Sequence, residues 1–196
     1  MDKNAVIRKL KWLLSFIYFK QIILVMHPHT IRQLSDSLPE DYTLRSPDGT
    51  SDLKGWADLL NSDGSFGHWT PETVKHEIID NLILPGAASL LVYKGSIVGS
   101  LATCEYPSRR WKRGMFMWLI IDQHHRRKGF SYQLLGRTMN YFPSKGYKKS
   151  AMIATDSYRS IAIHFFLKLG ARPLYGSLFS FIQWWCVKRK LTRMNL

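Results

Sequence analysis

Residues 114–131, GMFMWLIIDQHHRRKGFS, decide how the chain is read. The apolar run 114–121 has the length and composition of a buried central strand. It is followed by Arg126, Arg127 and Lys128, then Gly129, Phe130 and the small Ser131. The next stretch, SYQLLGRTMNYF, places Leu134, Leu135 and Met139 on one side of a helix. The first N–H groups of a helix have no intrahelical acceptor, and the helix dipole is positive at that end. A glycine there lets a ligand come close to the backbone. The N–H groups from about Arg127 to Ser131 can therefore converge on an anion, with the cations drawing phosphates in. An ordinary exposed basic turn is the other reading of the same residues. Neither G-x-x-x-x-G-K nor G-x-G-x-x-G is present.

Working outward, YTLRS (42–46) reads as a short strand ended by Pro47. Leu53, Trp56, Ala57 and Leu60 have helical spacing, with Ser51 or Asp52 as cap. Thr70-Pro71-Glu72 opens a second helix, lined by Val74, Ile78 and Leu82. ASLLVYK and IVGSLATCEY flank Gly95 as a hairpin. Beyond the opening stretch, SAMIAT is a strand and YRSIAIHFFLKL a helix closed by Gly170. ARPLYG and LFSFIQWWCVK read as a final antiparallel pair, with Trp184 and Trp185 on opposite faces of a strand. The expected fold class is α/β (α+β): a mixed, mostly antiparallel central sheet with helices on both faces. Residues 41–188 form that domain. Residues 1–40 read as a basic, partly apolar appendage, and residues 189–196 as a basic tail.

The 196 residues suffice for one domain with a sizeable core, and 45% hydrophobic content argues against disorder. The formal net charge of +14 attracts polyanions: nucleic acid, anionic lipid or a phosphorylated ligand. No apolar run is long enough to predict a membrane span. VIRKLKWLLSFIYFKQIILV near the start is apolar and basic, but Lys20 interrupts it and no small-residue cleavage site follows; an interfacial helix is one reading. Cys104 and Cys186 form no disulfide framework and no metal spacing, which fits a reducing, cytoplasmic setting, and no metal is expected.

Arg126-x-x-Gly129-x-Ser131, following a strand that ends LIIDQ, resembles the coenzyme A motif of GNAT superfamily N-acetyltransferases. RSIAIHFFLKLGA resembles that family's late helix, with Ala162 and Gly170 at the matching positions. The order of elements from Tyr42 to about Lys188 fits as well. The resemblance implies an acyl-CoA N-acyltransferase-like fold and acetyl-CoA as donor. It implies that the backbone of Trp118, Leu119, Ile120 and Ile121 meets the pantetheine arm. The pyrophosphate then rests on the turn Arg126, Arg127, Lys128, Gly129, Phe130 and Ser131.

Acetyl transfer to an amine needs a neutral nucleophile, a polarised thioester carbonyl and a protonated leaving thiol. The family's frequent tyrosine acid corresponds to Phe166 here, and its frequent glutamate base to Met115 or Phe116. None of these three side chains can move a proton. Glu105 after its strand, Asp156 at the end of SAMIAT and Tyr158 in the first turn of the helix that follows are the candidate proton-handling groups; His124 and His125 are chemically apt bases as well. The loop NSDGSFGHWT, with Phe66, His68 and Trp69, is a candidate wall of the acceptor pocket, and Tyr175, Phe181, Trp184 and Trp185 are candidates for its other side. The expected acceptor is a small-molecule amine, with RNA-linked and protein acceptors beside it. RRWKR (109–113) has the look of a nucleic-acid surface. A coenzyme-binding protein without transfer activity and a basic nucleic-acid-binding protein are the alternatives. The aromatic C-terminal strand either completes one monomer or pairs two copies as a homodimer.

Overall fold

The computed structural model describes residues 21–27, 38–64, 66–105, 113–144 and 151–196. The chain divides into two compact units, residues 27–152 and residues 1–26 together with 153–196.

The first strand, β1 (Gln21–Met26), belongs to the smaller unit. The larger unit holds β2 (Tyr42–Arg45), α1 (Leu53–Ser62), α2 (Pro71–Glu77), β3 (Ala88–Tyr93), β4 (Ser96–Glu105), β5 (Gly114–Ile121), α3 (Phe130–Met139) and the single turn α4 (Tyr141–Ser144). Strands β2, β3, β4 and β5 pair antiparallel in that order. The β3–β4 hairpin closes on Lys94 and Gly95, both at positive φ (47° and 84°), the two-residue turn whose twist matches the strands.

Alternation along β3 sorts the helices. Ala88, Leu90 and Val92 pack with Trp56, Leu60, Val74 and Ile78 from α1, α2 and the turn after them. Ser89 points the opposite way, where its hydroxyl accepts from Thr138 Oγ1 of α3 at 2.8 Å. Helices thus cover both faces of the four-stranded sheet. At the start of α1, Arg45 grips the buried Asp52 carboxylate through two bonds of 2.6 and 2.7 Å, and the Asp48 N–H donates to it at 2.6 Å. The α2 start follows the expected pattern. Thr73 N–H donates to Thr70 Oγ1 at 3.3 Å, and Thr70 N–H donates to Thr73 Oγ1 at 2.7 Å.

The smaller unit combines β1 with β6 (Ala151–Asp156) from Ile153 on, α5 (Ser160–Lys168), β7 (Arg172–Pro173) and α6 (Leu178–Arg193). Its strands run in the order β6, β1, β7, with Leu24 opposite Pro173 and Val25 opposite Arg172 in an antiparallel pair. Ile22, Leu24 and Met26 are buried. The stretch 1–40, read from sequence as an appendage, therefore contains a core strand; residues 1–20 and 28–37 of it lie outside the described residues.

Two sequence expectations are corrected here. LFSFIQWWCVK is helical, not a strand, and α6 runs on through Arg193 into the stretch read as a tail. The reasons are local and tertiary. Ser177 and Ser180 form a reciprocal cap: Ser180 N–H donates to Ser177 Oγ at 3.2 Å, and Ser177 N–H to Ser180 Oγ at 3.0 Å. Trp184, Val187 and Leu191 then bury one face at helical spacing. The strand that the sequence order sought at the C-terminus is contributed by β1.

Gly114 at the start of β5 has no room for a side chain: a Cβ there would lie 1.8 and 1.9 Å from ring atoms of the fully buried Phe142. Gly114→Ala is expected to cost about 1–3 kcal/mol or more in thermal unfolding, with part of the loss recovered in Gly114→Ala/Phe142→Leu. The Arg45 guanidinium holds the Asp52 carboxyl below its ordinary value of 3.8. A carboxyl lowered by folding stabilises at pH above that value, and the contribution disappears as pH falls through the lowered one. Acid titration followed by circular dichroism should show wild type losing an increment of stability below about pH 4 that Asp52→Asn already lacks at neutral pH.

Candidate functional site

The larger unit gathers its unusual backbone at the end of β5. Ser100 pairs with Ile120 and Ala102 with Met117, so two residues of β5, Trp118 and Leu119, lie opposite the single residue Leu101. This is a β-bulge, and Trp118 carries it at φ 54°, a conformation rare for a bulky residue. Ser100 Oγ donates to the Trp118 carbonyl at 3.1 Å. The Trp118 ring packs against the core under α1 and α2 and meets Trp69 edge-on at 5.8 Å. Trp69 is itself fixed: its N–H donates to Asn61 Oδ1 at 2.8 Å, Asn61 Nδ2 donates to its carbonyl at 2.9 Å, and its indole N–H donates to Phe66 O at 2.7 Å. The loop read as a pocket wall thus places Trp69 beside the bulge.

The turn after β5 is built next. Asp122 caps a short 3-10 turn at Gln123–His125 by accepting from His124 N–H at 2.9 Å. Arg127 and Gly129 both take positive φ, 64° and 80°, and Gly129 is the N-cap of α3. Its lack of a side chain leaves the first N–H groups of α3 with no capping oxygen. A Cβ on Gly129 would meet nothing within 4 Å, so the backbone opens onto free space there.

The cations of this turn do different work. Arg126 Nε donates to Ile121 O at 2.9 Å, and its Nη2 reaches Asp63 Oδ2, at the end of α1, at 2.8 Å. Arg126 therefore braces the turn. Lys128 Nζ donates to Tyr42 Oη at 3.0 Å, and His125 Nδ1 shares a 2.7 Å bond with the same oxygen. The Tyr42 ring lies 4.6 Å from both Tyr93 and Phe130. Among the described residues Arg127 has no such partner, and it is exposed. Tyr42 was not foreseen as a site residue. The only sequence cue was an aromatic at the start of an edge strand, which is common in any sheet.

The candidate acid–base groups belong to different units. Glu105 is exposed and pairs with Gly114, four residues and about 13 Å along β5 from the bulge at Trp118. Asp156 and Tyr158 belong to the smaller unit. Asp156 is half-buried and accepts from Arg159 Nε at 3.2 Å. Tyr158 is exposed and lies in the turn before α5, not in its first turn, because the helix starts at Ser160. Met115, Phe116 and Phe166 are buried and apolar. Tyr175, Phe181, Trp184 and Trp185 also fall in the smaller unit, with Trp184 in its core and the other three exposed. The RRWKR cluster lies outside the described residues except for Arg113. Among the described residues no group of His, Cys, Asp and Glu could hold a metal ion, and no helix is long and apolar enough to cross a membrane.

Cys104 precedes Glu105 on β4 and is buried. Burial, with Glu105 beside it, pushes its thiol up to about 12. It therefore stays protonated and is a poor nucleophile at neutral pH. Alkylation at pH 8 followed by peptide mass spectrometry should modify the half-buried Cys186 well before Cys104.

The sequence profile of the Acetyltransferase (GNAT) family matches residues 53–171, more than half of the chain. No curated protein sequence matches significantly. Solved structures give the same fold. A GCN5-related N-acetyltransferase from Sphaerobacter thermophilus is 16% identical with a TM-score of 0.63, over 85% of this chain and 53% of that one. Ard1 from Thermoplasma volcanium is 18% identical with a TM-score of 0.55, over 66% and 82%. The ribosomal-protein-S18-alanine N-acetyltransferase from Escherichia coli is 16% identical with a TM-score of 0.52, over 66% and 76%. The chain thus spans about half the length of the first of these, and at such identities the likeness is one of fold. The fold class is the expected mixed, mostly antiparallel sheet with helices, and a profile match across the bulged strand, the glycine turn and the late helix establishes that the chain belongs to the GNAT family of acetyltransferases.

Proposed function

We propose that this protein is an acetyl-CoA-dependent N-acetyltransferase that moves an acetyl group directly to a primary amine while donor and acceptor are bound together. The observation that carries the reading is the turn Arg127–Gly129, where two left-handed residues and an uncapped helix start open onto free space. When bound, acetyl-CoA supplies an acyl thioester with a good leaving group. The N–H groups of residues 127–131 receive its pyrophosphate, and the Arg127 guanidinium adds a charge-assisted bond. The bulge at Trp118 and Leu119 frees strand backbone for the pantetheine amides along Trp118–Ile121. Trp69 and Trp118 meet edge-on beside the bulge, and an acceptor amine bound against these rings would be favoured in its neutral form over its ammonium form. Burial keeps the Cys104 thiol protonated, which disfavours an acyl-enzyme at that residue.

Glu105, Asp156 and Tyr158 remain the proposed proton-handling groups. Asp156 already engages Arg159, which suits it to positioning, whereas Glu105 needs a water chain to act over its distance from the bulge. The acceptor is assigned only as a primary amine, small-molecule before RNA-linked or protein-borne, and the setting as cytoplasmic. A second reading is favoured by the buried Met115 and Phe166: the fold binds the coenzyme and transfers nothing.

Calorimetry with acetyl-CoA and a free-thiol assay across an amine panel separate these readings. Arg127→Ala should weaken acetyl-CoA binding by about 10-fold or more, and Gly129→Val, which fills the opening and strains a left-handed residue, by at least as much. Unchanged affinity in both variants, with unchanged thermal unfolding, would remove the cradle. Tight binding without thiol release from any amine would select the second reading.

A further inference from the structure

Helix α6 has two faces that do separate jobs. Trp184, Val187 and Leu191 are buried in the smaller unit. On the opposite side Leu178, Phe181, Ile182 and Trp185, at i, i+3, i+4 and i+7, are 79, 58, 41 and 53% exposed. Four large apolar side chains on one stripe are far more than the scattered exposure of an ordinary surface. Tyr175 extends the patch, its ring 5.8 Å from that of Phe181. The same stripe then changes character. Lys188, Arg189 and Arg193 occupy its last two turns and are exposed, and the Arg189 guanidinium stacks 4.6 Å from the Trp185 ring.

We infer that this face of α6 docks on an anionic lipid surface, with Leu178, Phe181, Ile182 and Trp185 entering the headgroup–acyl boundary and the cations of the last turns meeting lipid phosphates. Charge selects this occupant. Residues 157–196 contain seven Lys and Arg and no Asp or Glu, within a chain of net charge +14. Two copies brought together on this face would set cations against cations or against the apolar stripe, with no acidic partner on α6. A nucleic acid would satisfy the cations and leave exposed Leu178 and Ile182 with nothing apolar to cover them. A bilayer interface accepts both halves: aromatic and aliphatic side chains at the acyl boundary, basic ones among anionic headgroups. The helix lies along such a surface and does not cross it. The inference is independent of the acetyl-transfer reading, because the stripe shares no residue with the proposed coenzyme cradle.

The test is co-sedimentation of the full chain with vesicles of phosphatidylcholine alone and of phosphatidylcholine mixed with phosphatidylglycerol. Wild type is expected to bind the mixed vesicles, to bind neutral ones at least about tenfold more weakly, and to release in high salt. Phe181→Ser/Trp185→Ser and Arg189→Glu/Arg193→Glu should each lose about tenfold or more on mixed vesicles. All four side chains are exposed, so thermal unfolding should stay near wild type, and the two double variants check each other. Equal binding by wild type and both variants would overturn the proposal and locate attachment elsewhere, the apolar and basic residues 1–20 included. Equal binding to neutral vesicles would also overturn it. So would absence of vesicle binding, whether the apolar variant converts a dimer to a monomer or the charge variant abolishes binding to an RNA oligonucleotide.

Discussion

The turn between β5 and α3 is held from three sides, and its shape is the constraint on which the proposed coenzyme site depends. Ile121 O and Asp63 fix Arg126; Tyr42 fixes Lys128 and His125; Gly129 accepts the left-handed conformation that ends the turn. Each contact removes freedom from a loop that would otherwise lose entropy on meeting a ligand. Of three adjacent cations, two are structural braces and one is presented outward. A row of basic residues in a sequence reads as one electrostatic feature. Folded, it is a frame with a single projecting charge.

Much of this was legible because local chemistry and tertiary need agreed. Thr70-Pro71, the Gly95 hairpin and the apolar run 114–121 each specify a local geometry that the sheet also requires. Gly129 was readable for the same reason. The bulge at Trp118 was not, since nothing in MFMWLII distinguishes a bulged strand from a straight one; the strain is imposed by pairing with β4 across Ser100 and Ala102. Tyr42 was missed because its role arises only when the ends of β2 and β3 come together beside the turn.

The C-terminal stretch failed for a different reason. Its aromatic, β-branched residues have strand propensity, which context overrides easily. A serine pair at the entrance and a 3–4 spacing of buried residues outweighed it. The strand position went to Gln21–Met26, a segment whose basic apolar neighbourhood looked like something outside the fold. Family order alone therefore misplaces an element when another part of the chain fills the same slot.

The pairing of Leu24 with Pro173 has a kinetic consequence. Nearly 150 residues separate the partners, so a ribosome adding roughly 5–20 residues per second leaves the first strand without its mate on the order of ten seconds. During that interval Ile22, Leu24 and Met26, buried once the chain is folded, lack the partner strand β7. The nascent chain must shelter them, or a chaperone must, until β7 emerges, and closure of so long a loop makes this half of the protein the late-forming one.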